Sequence, residues 1–323
     1  MSIRDAAMVD NGCLDPNVAR LLKFINLLPD VSVLSPQNAR RLMEIYGSIF
    51  SRKRKPDNLD VSDHHFSLGR RILRCRQYKA GDDCPHLIFL HGGGGVVGSI
   101  KSYNSLCMSV AALGKVNVIS VDYPLAPETN YEQILDFIYI SWQKLVRVLG
   151  CKVQNGLALM GDSAGGLLAI ELCRRLVASG AAVPDLLVLI YPWISQEARN
   201  DCPSRGKFGK NYILTEDTLN FFGGCLGRPQ PFDLIEGEFS NLPPTLVYTA
   251  GFDPLRDEGL LFCKYLRAAG VPVEYREFDG LIHGFCQLSG IAEQVRSAIC
   301  EIAARCNKIL NESQLVNVGG NDL

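Results

Sequence analysis

Apolar positions along this chain follow two rhythms, and the change between them falls near residue 64. Ahead of it, residues 16–28 and 36–50 carry apolar side chains at helical spacing. Each segment opens with an N-cap side chain, Asp15 or Ser35, followed by a proline whose missing N–H costs nothing at the first helical position. Beyond residue 64, short and largely apolar runs recur at 86–90, 116–121, 156–160, 186–191 and 245–250, and 273–278 is read with them as the last strand. Most alternate with helical-period segments. Residues 166–177 stripe Leu168, Leu172 and Leu176 along one side and stop at Gly180, and residues 291–302 align Ile291, Val295, Ile299 and Ile302.

Strands that are apolar on both faces and alternate with helices predict an α/β fold: a mostly parallel central sheet covered on both sides. Residues 65–79 add an expected edge hairpin, with His64 and His65 ahead of the sheet proper. About fifty residues separate the runs at 186–191 and 245–250, far more than an α/β connection needs, so this stretch must hold extra structure. The expected organisation is an N-terminal helical segment over 1–58 and a main α/β domain over 59–310. An insertion at 194–242 joins the N-terminal helices in a cap, and 311–323 is a polar tail without fixed structure.

The strongest chemical signal is Gly161-Asp162-Ser163-Ala164-Gly165, which lies between an apolar strand and a helical segment. A turn this tight needs small flanking residues, lifts the serine hydroxyl out of the sheet and aims helix N–H groups at the same spot. The plainer alternative is a glycine-rich turn with a capping serine. A second signal, His91-Gly92-Gly93-Gly94-Gly95, closes the run at 86–90, and its amides can meet a developing oxyanion unobstructed. No Lys-Ser/Thr follows at the spacing of a phosphate-binding loop.

A serine nucleophile needs a base, and the base an orienting acid. Of the five histidines, His283 alone follows the last strand, where the chain order serine, acid, histidine places the base. Asp253, just beyond the run at 245–250, is the chosen acid, with Asp279 its rival. Asp257 and Glu258 read as first-turn helix charges.

Composition narrows the partners. The formal net charge of −1 is no strong basic excess and argues against nucleic acid or an anionic membrane as the main partner, and the Arg52-Lys53-Arg54-Lys55 run reads as a solvated linker. No apolar stretch is long enough to span a membrane, and the N-terminus lacks the layout of a secretory signal. The twelve cysteines form no CxxC pair, so no metal or disulfide framework is expected. They read as reduced thiols of a cytoplasmic protein, with Cys173, Cys263 and Cys300 in the core and Cys202 a candidate reactive surface thiol.

Several motifs in order resemble the hormone-sensitive-lipase family of α/β-hydrolases, especially its bacterial carboxylesterases, across about residues 60–305. They are His91-Gly92-Gly93-Gly94 with Val96-Val97-Gly98-Ser99, Asp122-Tyr123 with Leu125-Ala126-Pro127-Glu128, Gly161 to Gly166, Asp253-Pro254-Leu255 with Asp257-Glu258-Gly259, and His283-Gly284-Phe285. The resemblance implies a Ser163, Asp253 and His283 triad and an oxyanion hole from the amides of Gly93, Gly94 and Ala164. It also implies hydrolysis of small-molecule esters with short-to-medium acyl chains, no cofactor or metal, and a state compatible with a homodimer. A non-catalytic binding protein or an amide or formamide hydrolase would share the same frame. Two positions depart from the family pattern. Gly95 stands where an aromatic is common, which is expected to widen a pocket wall, and Pro124 replaces a usual arginine.

Overall fold

Side-chain caps start both N-terminal helices. In the computed structural model, which describes residues 12–51, 56, 58–149 and 156–318, the Asp15 carboxylate accepts from the amides of Asn17 and Val18 to open α1 (Pro16–Ile25). Ser35 Oγ accepts from the Asn38 amide to open α2 (Pro36–Phe50). α1 stops at Ile25, short of the expected residue 28. Pro29 disfavours helical backbone at the residue before it, and the chain turns out ahead of that point. The basic run at 52–55 lies outside the described residues.

Eight strands then build one sheet: β1 (Asp60–Leu68), β2 (Arg71–Lys79), β3 (His86–Leu90), β4 (Asn117–Asp122), β5 (Leu157–Asp162), β6 (Leu186–Ile190), β7 (Thr245–Phe252) and β8 (Val273–Ile282). Their order is β1-β2-β4-β3-β5-β6-β7-β8, antiparallel across the first two pairings and parallel through the rest. The edge hairpin forms as expected, but it begins at Asp60, so His64 and His65 belong to β1 and not to a segment ahead of the sheet.

Alternate residues of the inner strands feed two cores. Leu87, Phe89, Met160 and Val188 pack with α1, α3 (Asn104–Gly114) and α9 (Glu293–Val318). Ile88, Leu90, Leu159 and Leu189 pack with α4 (Tyr131–Leu149), α5 (Ala164–Ala178) and α8 (Arg256–Ala268). Burial on both faces is why these strands read as unbroken apolar runs, whereas edge strand β8 alternates along its first half. α9 continues past Leu310 to Val318, where the sequence suggested an unstructured tail. A Lys308–Glu312 pair and an Asn311-to-Asn307 hydrogen bond, both at helical spacing, support that extension. Cys300 lies on the exposed side of α9, while Cys202 is buried with its thiol pushed up to about 12, so the two exchange the settings expected of them.

The 194–242 stretch holds α6 (Ser204–Phe208), α7 (Glu216–Leu226) and a 3₁₀ turn at Leu234–Glu236. The first turn of α8 anchors it. Buried Glu258 accepts from the amides of Ile194 (2.7 Å) and Ser195 (3.2 Å) and lies 3.5 Å from the Arg205 guanidinium. Asp257 accepts from the Ser204 amide at 2.7 Å. These charges begin a helix as expected, but their work is to hold the insertion on the sheet. Burial pushes the Glu258 carboxyl up to about 7, and Arg205 and the two amides oppose that shift. Glu258→Ala leaves a buried guanidinium and two buried amides without this acceptor, so it should cost about 3–5 kcal/mol of stability. Urea unfolding reads this directly, and an unchanged midpoint would contradict the anchoring role.

Candidate active site

Four loops at the carboxyl ends of parallel strands meet at one place, the usual ligand edge of such a sheet. β5 passes into α5 through Ser163 alone, whose φ of 52° and ψ of −121° strain any residue with a side chain. The turn fits because Gly165 brings α5 against the end of β3: a Cβ there would lie 2.1 Å from the Leu90 carbonyl oxygen. Ser163 occupies the N-cap of α5, yet its side chain makes no capping hydrogen bond. The capping-serine alternative therefore fails.

Ser163 Oγ lies 2.9 Å from His283 Nε2, and His283 Nδ1 lies 2.8 Å from Asp253 Oδ2. Asp253, just past β7, is fully buried, and its other oxygen accepts from the Leu255 amide at 2.8 Å. A carboxylate at Nδ1 requires the proton there, which leaves Nε2 as the acceptor facing Ser163. Asp279 is exposed and makes no hydrogen bond to His283 among the described residues.

The glycine run is tied to the serine turn by the residue before Ser163. Asp162 is buried and accepts from the Gly92 amide at 2.7 Å and from Tyr103 OH at 3.0 Å. Burial pushes its carboxyl up to about 6, against the pull of those donors. The amides of Gly93 and Gly94 have no acceptor among the described residues, and that of Ala164, first in α5, has none within its helix. Gly94 admits Phe222 of α7 so closely that a Cβ would sit 2.1 Å from its ring. Gly95 does not widen the pocket as expected. It lies outside the cavity lining, against Leu226, where an added Cβ would come within 2.8 Å.

His91 is enclosed between the rings of Tyr103 and Tyr123 and donates from Nδ1 to the Gly92 carbonyl at 2.8 Å. Tyr123 OH donates to the His91 carbonyl. His91 shapes the loop and does not face Ser163.

Ser163 and His283 open into a cavity of about 300 Å³. Leu42, Met43 and Tyr46 of α2 line it, with Leu214 and Phe222 from the insertion. Arg40 fastens α2 to the site: Nε donates to the Val96 carbonyl, Nη2 donates to the Ala126 carbonyl, and the guanidinium pairs with Glu128. Three further residues were missed from sequence: Tyr103, Phe222 and Tyr191. Tyr191 has φ of 37° and places its ring 4.8 Å from that of His283. Its one signal was an aromatic at the ligand end of a strand.

Burial pushes the His91 imidazole down to about 4 from its ordinary 6.5, so it is neutral in the folded chain. The unfolded chain then binds more protons as pH falls from 6.5 to 4, which removes about 3 kcal/mol of stability over that window. Asp162 works in the opposite sense, because its raised pKa favours the folded state below about 4 and loses that advantage as pH rises through 6. Urea midpoints of wild type and His91→Asn, measured from pH 7.5 to 4.5, should converge as pH falls. A constant gap would show that His91 is not held neutral.

Residues 87–287 match the family described as having the alpha/beta hydrolase fold. An ethyl acetate hydrolase from Pseudomonas putida is 33% identical, over 87% of this chain and 94% of its own length. The carboxylic ester hydrolase LipN from Mycobacterium tuberculosis is 28% identical, over 96% of this chain and 88% of its own. Among solved structures, a Pyrobaculum calidifontis esterase superposes with a TM-score of 0.82 at 30% identity, over 92% of this chain and 99% of that one. The chain therefore belongs to the α/β hydrolase fold family, among the hormone-sensitive-lipase-like members that its motifs resemble.

Proposed function

We propose that this protein is a serine carboxylesterase in which Ser163 is the nucleophile, His283 the general base and acid, and Asp253 the orienting carboxylate. The observation that carries this reading is the hydrogen-bonded chain Ser163–His283–Asp253 opening into a mostly apolar cavity. As Ser163 Oγ attacks an ester carbonyl, its proton passes to His283 Nε2, and the Asp253 side chain at Nδ1 stabilises the resulting imidazolium. Negative charge gathers on the carbonyl oxygen, where the amides of Gly93, Gly94 and Ala164 receive it. His283 then returns the proton to the departing alcohol. Water, deprotonated by His283 in turn, cleaves the acyl-enzyme.

In this reading α1, α2 and the 194–242 insertion act as a cap that keeps water from the acyl group, and Arg40 and Glu258 hold its two parts in place. The cavity is at the small end of the roughly 300–1,000 Å³ found for ligand sites, which suits a small ester with a short or medium acyl chain. The relatives named as hydrolases of ethyl acetate and of carboxylic esters support that class.

Activity on a 4-nitrophenyl ester series from acetate to palmitate should peak at short or medium chains. Ser163→Ala should lower kcat by on the order of 10⁴–10⁶-fold, because triad members act as a unit. Near-normal turnover in Ser163→Ala would overturn the assignment of the nucleophile, and a maximum at palmitate would overturn the substrate class.

A further inference from the structure

The wall of the cavity above Ser163 is largely apolar, yet it holds a carboxylate that the ester-cleaving chemistry does not use. Asp30 lies in the link between α1 and α2, where it caps the 3₁₀ turn Val31–Val33, and it lines the same cavity as Ser163 and His283. Its Oδ1 accepts from the Ser32 amide and from Thr218 Oγ1, each at 2.8 Å, and its Oδ2 accepts from Thr215 Oγ1 at 2.6 Å. Thr215 is the N-cap of α7, and its Oγ1 accepts the Thr218 amide, so its own hydroxyl proton remains for Asp30. The carboxylate therefore sits at the positive end of a helix with three donors aimed at it. Burial pushes its pKa up, but these donors outweigh burial and hold it below the ordinary carboxylate value, so the group is ionised at neutral pH.

Every donor to Asp30 is uncharged, and no lysine or arginine lines the cavity among the described residues. The remaining carboxylate of the lining, Asp162, is committed to Gly92 and Tyr103 beside Ser163. Among the described residues, the cavity thus carries negative charge on its wall with no lysine or arginine lining it. Asp30 is half-buried, so a second anion brought beside it is repelled more strongly than it would be between charges in bulk water.

We propose that Asp30 is a specificity-determining residue whose fixed charge excludes esters bearing a carboxylate, so that this enzyme takes esters whose acyl and alcohol parts are neutral or cationic. The proposal rests on the esterase reading of Ser163. The competing role is mechanical: Asp30 would merely tie the N-terminal segment to α7, as the bond from Asn26 Nδ2 to the Asn211 carbonyl ties it elsewhere.

Two five-carbon acyl esters separate these roles: 4-nitrophenyl pentanoate, and mono-4-nitrophenyl glutarate, corrected for its spontaneous hydrolysis. Wild type should strongly prefer the pentanoate. Asp30→Asn, which keeps the shape and loses the charge, should raise the glutarate-to-pentanoate ratio of kcat/KM by about tenfold. Thr218→Val, which keeps the charge and loses one donor, should leave that ratio within about twofold of wild type. The proposal is overturned if wild type cleaves both esters equally well, a result that needs no variant. It is also overturned if an active Asp30→Asn keeps the wild-type ratio, or if Thr218→Val shifts it as far as Asp30→Asn. A wild type inactive on both esters would instead remove the esterase reading beneath it.

Discussion

The approach of α5 to the end of β3 at Gly165 is the constraint on which the site depends. With a Cβ position 2.1 Å from the Leu90 carbonyl oxygen, this contact is open to glycine alone without backbone movement. It forces the chain to reverse within one residue, and that residue, Ser163, takes a backbone conformation that strands and helices do not use. The strain has a use: a hydroxyl that would ordinarily cap its own helix is turned outward to an imidazole. The same contact places the end of β3, and so the glycine run, beside the start of α5.

A second tier of interactions keeps these pieces in register. Asp162 reaches from the residue before the nucleophile to the Gly92 amide and so ties the glycine loop to the serine turn. His91, neutral and enclosed by two tyrosines, stiffens that loop from inside. Farther out, Glu258 and Asp257 bind the 194–242 insertion to the helix that follows Asp253. Thus each motif with a buried charge supports a neighbouring segment, and the three residues of the proposed triad are the last links of a wider polar framework.

Much of this was legible in the sequence because it depends on local chemistry. Burial on both faces wrote the inner strands as continuous apolar runs, and caps followed by proline marked the starts of α1 and α2. The serine, the late histidine and Asp253 could be named because chain order and strand ends restrict where such groups stand. What escaped depends on contacts between distant segments. Tyr103 and Tyr191 look like ordinary apolar positions until the fold brings them to Asp162 and His283. Gly95 reads from the sequence as a widened pocket wall, but which wall a glycine faces is decided by packing, here by Leu226. The alternating half of β8 and the solvent-facing Cys300 show the same limit, since periodicity cannot reveal which face is covered.

The central claim is that Ser163 is an activated nucleophile, and covalent capture tests it most directly. Wild-type protein treated with a fluorophosphonate should gain a single adduct that peptide mapping places on Ser163. In His283→Ala the labelling rate should fall by at least about a hundredfold, the usual lower bound for losing a general base. An adduct on another residue, or labelling of Ser163 at an undiminished rate without His283, would contradict the account.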